Sequence, residues 1–176
     1  MKNKMMIAML AIGSTLATTH AFAAAGTVNF NGNILDSACD VDVASQNQVV
    51  VLGDYYKTEF PTTGARTAAT QFNIVLKNCP VTVTNAKVRF DGTPDATNAS
   101  LLAIDSSAAG AAIGVAINLM TADKADLPLH GSNSYSYALS STADNTLSFY
   151  AQYISTAATV TAGSANSVAN FSVVYN

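Results

Sequence analysis

Gly26-Thr27-Val28-Asn29-Phe30-Asn31-Gly32-Asn33-Ile34 alternates with period two: Gly26, Val28, Phe30, Gly32 and Ile34 share one parity, and Thr27, Asn29, Asn31 and Asn33 the other. Successive side chains of an extended chain point to opposite faces, so this stretch reads as a strand with one apolar and one polar face. Gly32 falls in the apolar row, where a strand packed on its own core would carry a side chain. Two explanations stay open: a local bulge, or a facing surface raised so far that only a hydrogen atom fits. Cys39 follows shortly after. If a crosslink there marks the start of the globular body, residues from Ala24 to about Asp36 lie outside it. A free apolar arm of this kind is an aggregation hazard unless a partner sheet receives it.

Upstream, Lys2 and Lys4 precede an apolar run from Met5 to Ala17, and Ala21-Phe22-Ala23 has the small-x-small pattern of a signal-peptidase site. The expectation is a signal peptide over 1–23, an arm over 24–36 and one domain over 37–176. The apolar run is too short and interrupted to span a bilayer, and no later stretch offers the roughly 20 apolar residues that spanning requires. Cys39 and Cys79 are the only cysteines. In an exported chain they meet an oxidising compartment and are expected to pair.

Charge is sparse: Lys and Arg number 8, Asp and Glu 11, for a net charge of −3. The cations are scattered, which removes the electrostatic footprint of nucleic-acid binding. A surface so poor in charge fits packing against other protein; an Ala- and Ser-rich surface on a monomer is the plainer alternative. Further strands are predicted at Val49–Leu52, Phe72–Leu76, Lys87–Phe90, Val115–Met120, Leu147–Ile154 and Val168–Tyr175. Turn clusters such as Asp91-Gly92-Thr93-Pro94 and Ala162-Gly163-Ser164 separate them, and Ala108 to Ala112 around Gly110 reads as a loop. Many short strands so punctuated indicate an all-β sandwich. At the far end Phe171, Val173 and Tyr175 share one face, one residue before Asn176 closes the chain. Such a strand suits capture by a partner offering a cation and an open edge; a packed last strand is the plainer reading.

Catalytic patterns are missing. His130 is the only histidine after Ala23 and sits beside Gly131 in a turn, which favours a solvated loop histidine over a general base. No His pair or Cys cluster suits zinc, and no glycine-rich loop suits phosphate. Asp40 with Asp42, and Asp91 with Asp95, have spacings that suit a cation, but read first as solvent-facing acids. No enzyme, metal or cofactor is expected. A glycan-binding adhesin module is the alternative from another class: Tyr55, Tyr56, Tyr135 and Tyr137 offer a small aromatic patch, although the chain has no Trp.

Together these segments resemble the type 1 major pilin family of chaperone–usher fimbriae. The likeness rests on Gly26 to Gly32 leading to Cys39, on Phe72-Asn73-Ile74-Val75-Leu76-Lys77-Asn78-Cys79, on Ser106-Ser107-Ala108-Ala109-Gly110, on Phe149-Tyr150-Ala151-Gln152-Tyr153, and on Gly163-Ser164-Ala165-Asn166 followed by Phe171 to Asn176. The resemblance implies an incomplete immunoglobulin-like sandwich with one disulfide, lacking its seventh strand and completed by a donor strand. A periplasmic chaperone would fill the groove first and grip the C-terminal carboxylate. At the outer-membrane usher the arm of the next identical or related subunit would replace it, giving a cell-surface fimbrium that supports adhesion. Carried over, Val28, Phe30, Gly32 and Ile34 would be the donor contacts, with Gly32 at a shallow pocket. Phe171, Val173, Tyr175 and Asn176 would edge the groove presented to the chaperone and then to the neighbour. Only Ala24 and Ala25 precede Gly26, so the arm starts later than in rod pilins. A minor adaptor subunit is the alternative within the family; a terminator would lack a usable arm.

Overall fold

The computed structural model describes residues 26–32, 34, 38–131 and 135–175. The expected signal peptide over 1–23 lies outside them. The chain divides into two units, one ending at Ile34 and one from Leu35 onward. In the first, none of the described residues is in a regular strand. Val28, Phe30 and Ile34 are 74 %, 92 % and 100 % exposed, and a Cβ placed on Gly32 meets nothing within 4 Å. The alternation is present without the pairing that would make it a strand.

The second unit is an all-β sandwich. Its strands are β1 (Asp40–Val41), β2 (Thr70–Lys77), β3 (Asn85–Gly92), β4 (Leu102–Ala103), β5 (Val115–Met120), β6 (Tyr137–Ala138), β7 (Asn145–Ser155) and β8 (Ala169–Tyr175); a single helical turn, α1 (Val43–Gln46), follows β1. One sheet has the order β1-β2-β7-β5-β4 and the other β6-β3-β8, and every pairing is antiparallel. β2 and β7 form the middle of the larger sheet, with Phe72 opposite Phe149 and Ile74 opposite Leu147. Period-two burial follows: Ile74 and Leu76 are sealed inside, whereas Gln71 and Asn73 face outward.

An aromatic stack ties the sheets together. The Phe90 ring on β3 meets Phe149 at 5.3 Å and Phe72 at 5.9 Å between centroids, in edge-on geometry. Rings in this arrangement contribute beyond their buried area, about 0.5–1.5 kcal/mol per pair. Cys39 and Cys79 are bonded to each other, with Cα atoms 4.2 Å apart, fastening the start of this unit to the end of β2.

β5 departs from simple alternation, since all of its residues are buried. Val115, Ile117 and Leu119 enter the main core, while Ala116 packs with Leu101 and Ile154 on the opposite face. A strap holds that face shut. Arg66 bridges to Ile154 and donates two bonds of 3.1 Å to the Asp126 carboxylate, which also accepts from the buried Asn118 amide at 2.8 Å. The Arg66 hydrogen bonds hold the Asp126 carboxyl below the usual carboxylate range. A polar residue in a doubly covered strand therefore has its partner.

Five of the predicted strands fall within or on β2, β3, β5, β7 and β8. Val49–Leu52 does not become a strand: it is extended, but no neighbour among the described residues pairs with it. The two-residue strands β1, β4 and β6 and the helical turn carry too short a pattern to be read from sequence.

Candidate functional site

The open side of the sandwich is visible in one comparison of burial. β8 pairs with β3 so that Ala86, Val88 and Phe90 stand opposite Tyr175, Val173 and Phe171 on the inner face. The β3 members are 0 %, 2 % and 5 % exposed, yet their β8 partners at the same depth are only half-buried. β8 is the last strand of its sheet, and its far edge has no partner among the described residues. The side chains sequence placed on one face, Phe171, Val173 and Tyr175, are thus gathered there, each packed on the core from one side. Asn176 lies outside the described residues. The Tyr175 hydroxyl donates to the Cys39 carbonyl at 3.4 Å, and burial pushes its pKa up.

A second stretch without a strand partner among the described residues is the extended segment that sequence took for a strand. Val49 to Asp54 make no main-chain hydrogen bond among the described residues. Val50 and Leu52 turn inward and are half-buried, while Val49 and Val51 face solvent. This segment, Tyr55, Phe60, Tyr153, Val160 and the loop Thr161–Asn166 line a groove of about 540 Å³. Tyr55 meets Tyr153 edge-on at 6.1 Å, and the Tyr153 hydroxyl donates to the Ala165 carbonyl at 3.0 Å. Burial raises the Tyr153 pKa above the usual phenol range, so this donor stays protonated across ordinary pH.

The loop wall is fixed by close backbone contact. Ala112 donates to the Ser164 carbonyl at 2.9 Å and Ser164 donates to the Gly110 carbonyl at 3.0 Å. A Cβ on Gly163 would come within 2.3 Å of the Gly110 oxygen and 2.4 Å of the Ala112 nitrogen. Neither atom is the end of a flexible side chain, so nothing yields cheaply. Gly163→Val is expected to destabilise the domain by about 3 kcal/mol, the upper end for overpacking. Thermal unfolding should then fall by roughly 6–12 °C, and an unchanged midpoint would show that the loop yields.

The remaining candidates are placed as follows. Asp42 pairs with Lys77 at 2.6 Å and Asp40 accepts from Asn78 at 2.9 Å, so these acids are used in fastening β1 to β2. Asp91 accepts from Arg89 at 3.0 Å and pairs with His130 at 2.8 Å on an exposed surface, and Asp95 caps its own turn through Thr97 and Asn98. The four tyrosines do not form one exposed patch. Tyr55 is half-buried in the groove, Tyr137 donates to the Ser148 carbonyl at 2.6 Å and packs on Phe149, and Tyr56 is 80 % exposed. Sequence reasoning missed Leu52, Tyr55, Phe60 and Tyr153 as groove residues, because the loops that bring them together are far apart in the chain.

The family described as Fimbrial protein matches residues 28–176. The type-1 fimbrial protein A chain of Escherichia coli K12 is 37 % identical over 99 % of this chain and 100 % of its own length. A fimbrial subunit type 1 of Klebsiella pneumoniae is 40 % identical over 85 % of this chain and 83 % of its own. Among solved structures, an antigen and type I fimbria protein of Burkholderia pseudomallei superposes with a TM-score of 0.60 at 37 % identity, covering 80 % of this chain and 91 % of that one. The rod subunit PapA of the P pilus superposes with a TM-score of 0.67 over 80 % of this chain and all of that one, at 23 % identity, a likeness of fold alone. With the disulfide, the open groove and matches that run through nearly the whole sequence, the chain belongs to the fimbrial protein family.

Proposed function

We propose that this fimbrial subunit polymerises by strand donation, the arm over 24–36 of one copy filling the groove of the next. The supporting observation is the paired inequality on the inner face: Val88 and Phe90 are sealed, while Val173 and Phe171 beside them are half-bare. A strand added along β8 would cover that row and supply main-chain partners to both β8 and Val49–Asp54. Apolar burial then draws the arm in, and hydrogen bonds along both edges hold it. Release requires several bonds to break together, so dissociation is slow without any covalent link.

The arm suits this role on its own terms. Val28, Phe30 and Ile34 are exposed, so they have contacts to gain from a partner sheet. The same surface, before polymerisation, is the one a periplasmic chaperone would fill. The usher would be where one strand replaces the other. Nothing in the mechanism calls for a catalytic group or cofactor, and the role is structural. The surface location follows from that of fimbrial relatives; transit through the periplasm belongs to the proposal.

The test is expression of the chain with and without residues 24–36 alongside its chaperone. The truncated subunit is expected to accumulate as a folded chaperone complex and to form no homopolymer. Polymers of ordinary length from it would refute strand donation by this arm.

A further inference from the structure

We infer that Asn31-Gly32 is a site of spontaneous modification, at which an unassembled subunit loses the Asn31 amide to water and spoils its arm, whereas a subunit whose arm is paired into a neighbour is protected. The consequence for assembly rests on strand donation as proposed above; the chemistry of the site does not.

Asn31 is the only asparagine in the sequence that glycine follows. The Gly32 main-chain nitrogen can attack the Asn31 carboxamide carbon and close a five-membered ring: the Gly32 N to Asn31 Cγ bond forms, the Cγ–Nδ2 bond breaks and Nδ2 leaves as ammonia. Water then opens the cyclic imide. Cleavage of the new bond leaves an aspartate at position 31, whereas cleavage of the original peptide bond leaves an isoaspartate, with the main chain rerouted through the former side chain. One water is consumed and one ammonia released, and nothing is oxidised or reduced.

The arm leaves this ring closure unhindered. Asn31 and Gly32 are exposed and lie in no regular strand. Neither makes a hydrogen bond among the described residues, so nothing holds the attacking nitrogen away from the amide. A Cβ on Gly32 would meet nothing within 4 Å, and glycine brings no side chain of its own against the ring. The segment carries its own control, since Asn29 is also exposed but the bulky Phe30 follows it.

The folded domain shows what protection requires. Asp91-Gly92 could close the same ring, yet it lies in β3, paired with Asn170 and Ala169 of β8. The Asp91 carboxyl is held below the usual carboxylate range by His130 at 2.8 Å, with Arg89 donating at 3.0 Å, and an ionised carboxylate is a poor electrophile. The buried Asn118 and Asn145 commit their amides to Asp126 and to the Ser140 and Ala143 carbonyls. An arm paired in a sheet joins this class: its main chain is held extended, so reaction waits for local opening.

The products damage the arm. Either one puts a negative charge into its polar row. Isoaspartate also adds a carbon to the main chain between position 31 and Gly32, which takes Gly32 and Ile34 out of phase with Val28 and Phe30 and breaks the apolar face. A subunit that waits too long keeps its folded domain and loses its ability to donate.

Chaperone-bound subunit and assembled fimbriae, incubated side by side in one mildly alkaline buffer, are compared by peptide mass mapping and isoaspartate-specific methylation. In the unassembled subunit position 31 should convert ahead of Asn29, and in fimbriae it should convert about tenfold more slowly or less. Asn31→Gln should abolish the product, because glutamine has to close a six-membered ring. When aged subunit is offered to the usher, the fimbriae formed should be depleted of isoaspartate about tenfold relative to the starting pool, and the Asn31→Gln subunit should lose nothing on ageing. Conversion at position 31 no faster than at Asn29, equal conversion in subunit and fimbriae, or incorporation of converted chains as readily as intact ones overturns the inference. Failure of the parent reading looks different: deletion of 24–36 then leaves polymer yield unchanged, which removes the consequence for assembly while position 31 still converts in the free subunit.

Discussion

Appending a second copy of the arm behind β8 is expected to turn the subunit into a much more stable monomer that no longer accepts a neighbour. β8 ends at Tyr175 and the chain closes on Asn176. One added glycine makes Asn-Gly, the preferred two-residue hairpin loop. A following Val28-to-Ile34 sequence then returns antiparallel along the free edge, with its first valine across from Tyr175. A tethered strand acts as a ligand at an effective concentration of about 1 mM. If the free arm binds with a dissociation constant near 1 μM, the gain is about 4 kcal/mol. For a domain of this length that is a rise of roughly 8–16 °C in the unfolding midpoint. The control is the same graft displaced by one residue, which turns the apolar row to solvent and should give little. Equal stabilisation by both grafts, or none by either, would mean that the groove beside β8 is not a site for this strand.

The two halves of such an interface were unequally legible. The donor half is local: period-two alternation and a misplaced glycine are properties of nine consecutive residues, and they can be read without knowing the fold. The acceptor half is not local. Phe171, Val173 and Tyr175 show their common face in sequence, but that this face is only half-covered depends on what β8 lacks on its far side. Val49–Leu52 has the composition of a buried strand, and sequence offers no sign that its partner is missing. Tyr55, Tyr153 and Ala165 meet only after the chain has crossed between sheets. Gly163 reads as an ordinary turn residue until its approach to Gly110 and Ala112 is known.

A common physical cause runs through these cases. Propensity and pattern report what a segment would do given a partner, and this fold withholds partners from segments that are built for them. The arm has strand alternation without a strand, and Val49–Asp54 is extended without a ladder. In a self-sufficient domain such conflicts between local preference and observed structure signal strain or error. Under the strand donation proposed above they would fall on the two sides of one interface, the donor row and the receiving edges, where an assembly completing itself between copies would place them.

A second large effect is expected at the covalent bridge that fastens the start of the sandwich to β2. β1 is only two residues long, and it joins β2 through the pairs Asp40 with Lys77 and Val41 with Leu76. The Cys39–Cys79 bond closes a span of 40 residues around this short ladder. On the chain-entropy estimate such a loop is worth about 4 kcal/mol, an upper figure when residual unfolded-state structure is present. The buried Asn145 amide lies 3.3 Å from the Cys79 sulfur and bonds the Ser140 and Ala143 carbonyls, so the bridge also backs the turn into β7. Cys39→Ala with Cys79→Ala is therefore expected to lower unfolding stability by about 3–4 kcal/mol. The far edge of β8 has no strand partner among the described residues, so no pairing there offsets this loss. Denaturant unfolding of the oxidised and double-variant subunits measures it directly, and the chaperone-bound pool should shrink in step. A shift below about 1 kcal/mol would show that the salt bridge of Lys77 with Asp42 and the β1 ladder suffice to hold the start of the sandwich, and would move the source of rigidity from the covalent bridge to the sheet itself.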